Sequence, residues 1–240
     1  MKMLNNTNPD KARIPAWKRA VDIGLIVLAL PLLVWVVVVI VALIRLVSKG
    51  PIFFKQERIG QNGKKFLCFK FRTMRVGSDS VLHEGHLLRL IQSDAPMTKM
   101  DARGDSRIIP LGVFLRATGL DELPQLINVW RGEMSIVGPR PCLPYEFKHY
   151  LPWQRERFNV APGLTGLWQV SGKNKTTFSE MVRLDIEYSR RCSFLLDAEI
   201  IFKTIPVLLT QASDVSKKQP LPKEMAVESK TIFPAHATNR

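Results

Sequence analysis

Cysteine is scarce in this chain. Cys68, Cys142 and Cys192 are odd in number, far apart and in no metal-ligand spacing, which argues against a disulfide framework or a zinc site. A reducing, cytosol-facing domain is the simplest setting for them. Histidine supplies no metalloprotease pattern either, because "HEGH" at 83–86 lacks two histidines four apart. His83 and His86 read as surface residues on a helix over about 80–92. Acids are few, 21 against 35 Lys and Arg, and the net charge of +14 calls for an anionic partner. No internal repeat is visible, and no aromatic-basic recognition module points to nucleic acid. At 240 residues the chain has room for one domain plus an anchor and tails, but not for a second full domain.

What is abundant is a run of apolar residues. Ile23 to Ile44, "IGLIVLALPLLVWVVVVIVALI", is uncharged, and as a straight helix its 22 residues would reach about 33 Å, a bilayer's hydrocarbon thickness. The run is too long for a signal peptide, and its exit "IRLVSKGP" lacks a small-residue cleavage site. Basic residues flank both ends: Lys11, Arg13, Lys18 and Arg19 before, Arg45, Lys49, Lys55, Arg58, Lys64 and Lys65 after. The positive-inside tendency therefore asks both ends to stay cytoplasmic. Pro31 removes a backbone donor and crowds the carbonyl of Val27, so the helix can bend there and return to the side it came from. A kinked ordinary span satisfies the same run, since membrane helices tolerate proline.

The remainder divides by composition. Residues 1–15 and 214–240 are polar or charged, contain prolines and lack apolar periodicity, and read as mobile tails around a 16–47 membrane helix and a 48–213 cytoplasmic domain. "PIFFKQERIGQNGKKFLCFKFRTM" predicts a β-hairpin turning at Gly60 to Lys64, with Lys70 and Arg72 on one face of its second strand. Alone, that pair reads as a solvated strand edge. "MVRLDIEYSRRCSFLLDAEIIFKTIPVLLTQ" is an apolar-basic helical stretch.

"LDELPQL", 120–126, sets Asp121 and Glu122 among leucines. Leu120, Leu123, Leu126 and Ile127 recur at helical spacing, with Asp121, Gln125 and Asn128 on another side, and Asp121 is placed to be an N-cap. One reading is electrostatic and commonplace: acids at a helix start complement its dipole by about 0.3–1 kcal/mol. The other is chemical, with free amides keeping Asp121 ionised as a phosphoryl acceptor. A carboxylate about 4 Å from a phosphate oxygen is repelled by roughly 4 kcal/mol at an effective dielectric of 20, so cations must be at hand. Arg140 in the stiff "GPRP", Arg116, Lys70, Arg72 and Lys173 supply them, and Glu122 is suited to Mg²⁺. Without chemistry, the alternative is a membrane-tethered basic protein that binds polyanions with steep salt dependence.

"GPIFFKQERIG", "FKFRTM", "FLRATGLDELPQLINVWRGEMSIVGPRP" and "PGLTGLWQVSGK" resemble the bacterial sugar transferases, the monotopic phosphoglycosyl transferases, over about residues 18–210. The resemblance implies a mainly helical α+β domain on a re-entrant, proline-broken membrane helix, with a small β-hairpin. It implies transfer of a sugar-1-phosphate from a UDP-sugar to a polyprenyl phosphate such as undecaprenyl phosphate, with release of UMP. Asp121 takes the place of the nucleophile that carries the phosphosugar, and Glu122 that of the neighbouring acid; Mg²⁺ is required. Lys70, Arg116, Arg140 and Lys173 match basic positions of the family, and Pro31 the helix break. Leu30 stands where many members carry Ser, and Lys173 where they carry Arg. Such an enzyme would start exopolysaccharide, capsule, O-antigen or glycoprotein glycan assembly at the cytoplasmic face of a bacterial inner membrane. Downstream glycosyltransferases are further candidate partners.

Overall fold

The computed structural model of the protein describes residues 14–75, 96, 107–172 and 176–217. Helix α1, Ala16–Val47, leads into strands β1, Phe53–Ile59, and β2, Lys65–Phe71. Helices α2, Gly112–Thr118, and α3, Leu126–Arg131, are joined through a 3₁₀ turn at Leu120–Gln125. Strand β3, Ser135–Val137, helix α4, Pro144–His149, and a 3₁₀ segment at Pro152–Asn159 come next. Strand β4, Gly163–Thr165, and helices α5, Leu167–Val170, α6, Phe178–Arg191, and α7, Phe194–Lys217, complete the order. The domain is mainly helical α+β, as expected, with the hairpin in place.

In the hairpin, β1 and β2 pair antiparallel from Phe53 opposite Phe71 to Ile59 opposite Lys65, and Asn62 takes a left-handed conformation at the turn. Asn128 extends the sheet sideways, accepting from Phe69 N (3.1 Å) and donating to Leu67 O (2.7 Å) as a strand would. A second sheet, not expected from the sequence, pairs β3 and β4 in parallel, Ser135 with Gly163 and Val137 with Thr165. Glycine is what permits it: a Cβ on Gly138 would strike the carbonyl of Ala161, and one on Gly163 the amide of Gly138.

The helical stretch expected near the C-terminus consists of two helices. A capping box of Thr177 and Glu180 starts α6, with Glu180 N donating to Thr177 Oγ1 (3.2 Å) and Thr177 N to Glu180 Oε2 (2.8 Å). The chain turns at Cys192, and Ser193 opens α7, which runs four residues into the stretch read as tail. The helix expected over about 80–92, with His83 and His86, lies outside the described residues, as do residues 1–13 and 218–240.

Helix α1 spans Ala16–Val47 with Pro31 inside it, so the proline expected to break the helix does not interrupt it. Among the described residues it alone is long and apolar enough to cross a membrane. Its first turns are bolted down by polar groups. Lys18 donates to Tyr188 Oη (2.9 Å) and pairs with Asp197; Arg19 donates to the carbonyls of Val129 and Trp130 that end α3. Asp22 Oδ1 accepts from Ser135 Oγ and Ile136 N, both at 3.0 Å. At the far end Ile40 and Ile44 pack against Phe71, Ile109 and Leu115. Between these anchors Ile26 still packs on Val129 and Met134, but the middle of the helix turns many side chains away from the domain, Leu28 79% and Trp35 72% exposed. Both ends of one apolar helix thus seat on one body. A straight crossing would part residues 18 and 44 by about 39 Å.

Candidate active site

Gly119, at φ 72°, ends α2 in a left-handed turn that a side chain would strain, and the 3₁₀ turn starts there. This overturns the expectation that Asp121 is the N-cap: Gly119 holds that position without a side-chain cap, and Asp121 sits inside the turn. With the cap at Gly119, Pro124 is the fifth residue of the turn rather than a first-turn residue, and it has no N–H to give to an internal bond there. The face carrying Asp121, Gln125 and Asn128 is the buried one, turned toward β2, while Leu120 and Leu123 pack beside the far end of α1.

Lys70 meets this face. Its ammonium lies 2.5 Å from Glu122 Oε1, and Arg140 Nη1 lies 3.8 Å from the same oxygen. The edge reading of the hairpin's basic pair therefore fails for Lys70, whose side chain is only 18% exposed. Arg72 goes elsewhere: its guanidinium donates to Lys49 O (2.8 Å), Ser48 O (3.1 Å) and Ser48 Oγ (3.1 Å), satisfying carbonyls at the end of α1. It is spent on the fold and does not line the cleft. Arg116 is exposed on α2 and reaches Asp121 only through its field. Lys173 lies outside the described residues.

An open cleft of about 240 Å³ is walled by Lys70, Glu122 and Arg140 together with Arg58, Cys68, Gln125, Pro141, Gly163 and Leu164. Lys70 and Arg140 face one carboxylate, with the buried charge of Arg58 close by, a surplus suited to a phosphate-bearing ligand. Much of that space is open to solvent, so the cleft is shallow and a nucleotide-sized ligand must extend beyond these walls. Arg58, Gln125 and Cys68 were not singled out as site residues from the sequence. The hairpin register carried the signal, because Gln56 pairs with Cys68 and Arg58 with Phe66, which puts Arg58 on the Lys70 face.

Asp121 is 8% exposed and stands behind Glu122 rather than in the cleft wall. Burial pushes its carboxyl above the ordinary carboxylate range; Lys70 opposes this most strongly, Glu122 adds to it, and Arg116 and Arg140 pull weakly down. The pull of helix amides expected from the sequence is not among the influences on Asp121; burial leads them. Among the described residues no three His, Cys, Asp or Glu converge, so a cation here would find two protein carboxylates at most. That donor set fits Mg²⁺, which takes one or two carboxylates and completes its shell with phosphates and water.

A basic domain seated on an apolar helix, with an acidic pair set among cations in a cleft, defines a membrane-associated protein built for a phosphate-bearing ligand. The chain belongs to the bacterial sugar transferase family, whose profile matches residues 13–211. It is 40% identical over 191 residues to the exopolysaccharide production protein ExoY of Sinorhizobium fredii, covering 80% of this chain and 84% of that protein. It is 40% identical over 166 residues to the undecaprenyl-phosphate galactose phosphotransferase of Salmonella typhimurium, and 39% over 176 to the UDP-glucose:undecaprenyl-phosphate glucose-1-phosphate transferase of Xanthomonas campestris. Those matches cover 67% and 70% of this chain and 34% of each of those proteins.

Proposed function

We propose that this chain moves a sugar-1-phosphate from a UDP-sugar to a polyprenyl phosphate such as undecaprenyl phosphate through an aspartyl intermediate, releasing UMP and beginning the assembly of a bacterial polysaccharide. The single observation that carries the reading is the Asp121–Glu122 pair among Lys70 and Arg140 beside the cleft. Asp121, deprotonated, attacks the sugar-bearing phosphorus; the bond from that phosphorus to the UMP oxygen breaks, and UMP leaves. An oxygen of polyprenyl phosphate then attacks the same phosphorus, the bond to Asp121 breaks, and the carboxylate is restored. Lys70 favours the charged form of Asp121 and, with Arg140, balances the phosphate oxygens. Glu122 and Asp121 would hold Mg²⁺, which supplies positive charge at the diphosphate when bound.

The seating of α1 supports a re-entrant membrane element with both ends on the cytoplasmic face, because Lys18 near one end and Ile44 near the other pack on the same folded domain. Exposed Phe202, Ile205 and Leu209 on α7 and Phe114 on α2, two helices that pack on each other, extend the apolar surface. An amphiphilic acceptor explains why a charged site is held near lipid.

A second reading is direct transfer within a ternary complex, and what favours it is the position of Asp121 behind Glu122. Release of UMP from a panel of UDP-sugars, with and without polyprenyl phosphate, separates the two. The aspartyl route gives a burst of UMP without acceptor, up to one per enzyme; direct transfer gives none until the lipid is added.

A further inference from the structure

Arg140 projects from "GPRP", a stretch whose prolines have no N–H and cannot continue the β3 ladder. The carbonyls from Pro139 to Cys142 are nonetheless all taken. Pro139 O accepts from Gly163 N (2.9 Å), Arg140 O from Arg157 Nη2 (2.9 Å), Pro141 O from Arg58 Nη1 (3.0 Å) and Cys142 O from Ile59 N (2.9 Å). Two of these four donors are buried guanidinium groups, Arg157 at 1% exposure and Arg58 at 8%.

Burying a cation to hold a neutral carbonyl is costly when a backbone amide would serve. For Arg157 the charge is balanced by Asp185, and its other arm meets Tyr150 Oη. Arg58 is held by Gln56 Oε1 at 2.9 Å, while its Nε is buried without a partner. Arg58 also walls the cleft beside Arg140. The two guanidiniums come from different elements, β1 and the 3₁₀ segment Pro152–Asn159, and bond adjacent peptide carbonyls.

We propose that Arg58 and Arg157 are positioning residues that together fix the backbone of Arg140, so that its guanidinium waits at the cleft already placed for a phosphate. The inference rests on the reading of Arg140 as a phosphate contact. A side chain on a fixed backbone loses less freedom when the ligand arrives, and a small displacement of a charged contact is enough to slow transfer strongly. Arg58 and Arg157 act through Arg140.

The test is a double-mutant cycle on sugar-1-phosphate transfer, with kcat and KM read separately and thermal unfolding recorded for each protein. Arg140→Ala, Arg58→Lys and the double variant are compared with wild type. Arg58→Lys keeps a charge but cannot reproduce the fork that holds Gln56 and Pro141 together. It should lower kcat/KM by about tenfold in the wild-type background and by less than about twofold once Arg140 is alanine, the signature of coupled residues. Equal losses in the two backgrounds overturn the inference and leave the reading of Arg140 intact. An Arg140→Ala protein as active as wild type overturns both. Gln56→Leu, which loosens Arg58 without touching its contact to Pro141, gives the same comparison if the lysine variant does not fold. Its loss should be smaller and should likewise vanish with Arg140→Ala; a loss that persists counts against the proposal.

Discussion

Replacing Lys70 by methionine keeps most of the side-chain volume and removes the charge that sits 2.5 Å from Glu122 and most favours an ionised Asp121. At about 4 Å and an effective dielectric of 20, a lost ion pair with a phosphate oxygen is worth roughly 4 kcal/mol. The ammonium retains some contact with water, and screening trims this to about 2–3 kcal/mol, or roughly 30- to 150-fold in kcat/KM. The pH profile gives a sharper readout. Lys70 lowers the Asp121 pKa and burial raises it, so without Lys70 the acid limb of kcat/KM moves to higher pH. Lys70→Arg keeps the charge and should leave the limb close to its original position. Initial rates of UMP release between pH 5 and 9 measure both effects. A Lys70→Met limb that stays put or moves to lower pH, or a loss below about threefold, would refute the electrostatic role given to this residue.

Glu122→Gln should shift the limb the opposite way, to lower pH, because the Glu122 charge raises the Asp121 pKa, while turnover falls with the loss of a Mg²⁺ ligand. Asp121→Asn should abolish transfer yet raise the melting temperature at pH 7.5. A carboxyl whose folded pKa lies above its ordinary 3.8 gives its full stability below 3.8 and loses it as pH climbs through the folded value. The advantage of the Asn protein over wild type should therefore shrink on acidification. Arg157→Met leaves Asp185 buried without its partner and should cost about 3–5 kcal/mol by denaturant unfolding, whereas a change under about 1 kcal/mol would contradict the buried pair. Glutamate at both Leu28 and Trp35 should drive the protein off phospholipid vesicles in flotation while leaving the Lys18–Asp197 anchor untouched.

Local periodicity exposed what local chemistry dictates. The apolar run, the hairpin turn at residues 60–64 and the acidic pair were legible because each is written within a few residues. Arg72 shows where this stops. Strand alternation put it beside Lys70, but the strand ends at Phe71, and the nearest unsatisfied carbonyls, at Ser48 and Lys49, claimed its guanidinium. Asp121 shows the same for electrostatics: helix position suggested an ionised cap, and burial against β2, which no local pattern records, reversed the direction of its shift. The parallel pairing of β3 with β4 was hidden because a helix and a 3₁₀ segment lie between the paired residues, and its sign in the sequence is only the spacing of glycines that let two backbones touch. Arg58 was within reach, since the hairpin register alone puts it on the face of Lys70.

The central claim is that an oxygen of Asp121 bonds to the sugar-bearing phosphorus. Intact-mass analysis of the protein after incubation with Mg²⁺ and a turned-over UDP-sugar, in the absence of polyprenyl phosphate, measures that bond directly. A phosphosugar adduct on wild type that maps to Asp121, is missing from Asp121→Asn and disappears when the lipid is added is the predicted result. An adduct that persists in Asp121→Asn, or wild-type turnover in which no adduct ever forms, would contradict it.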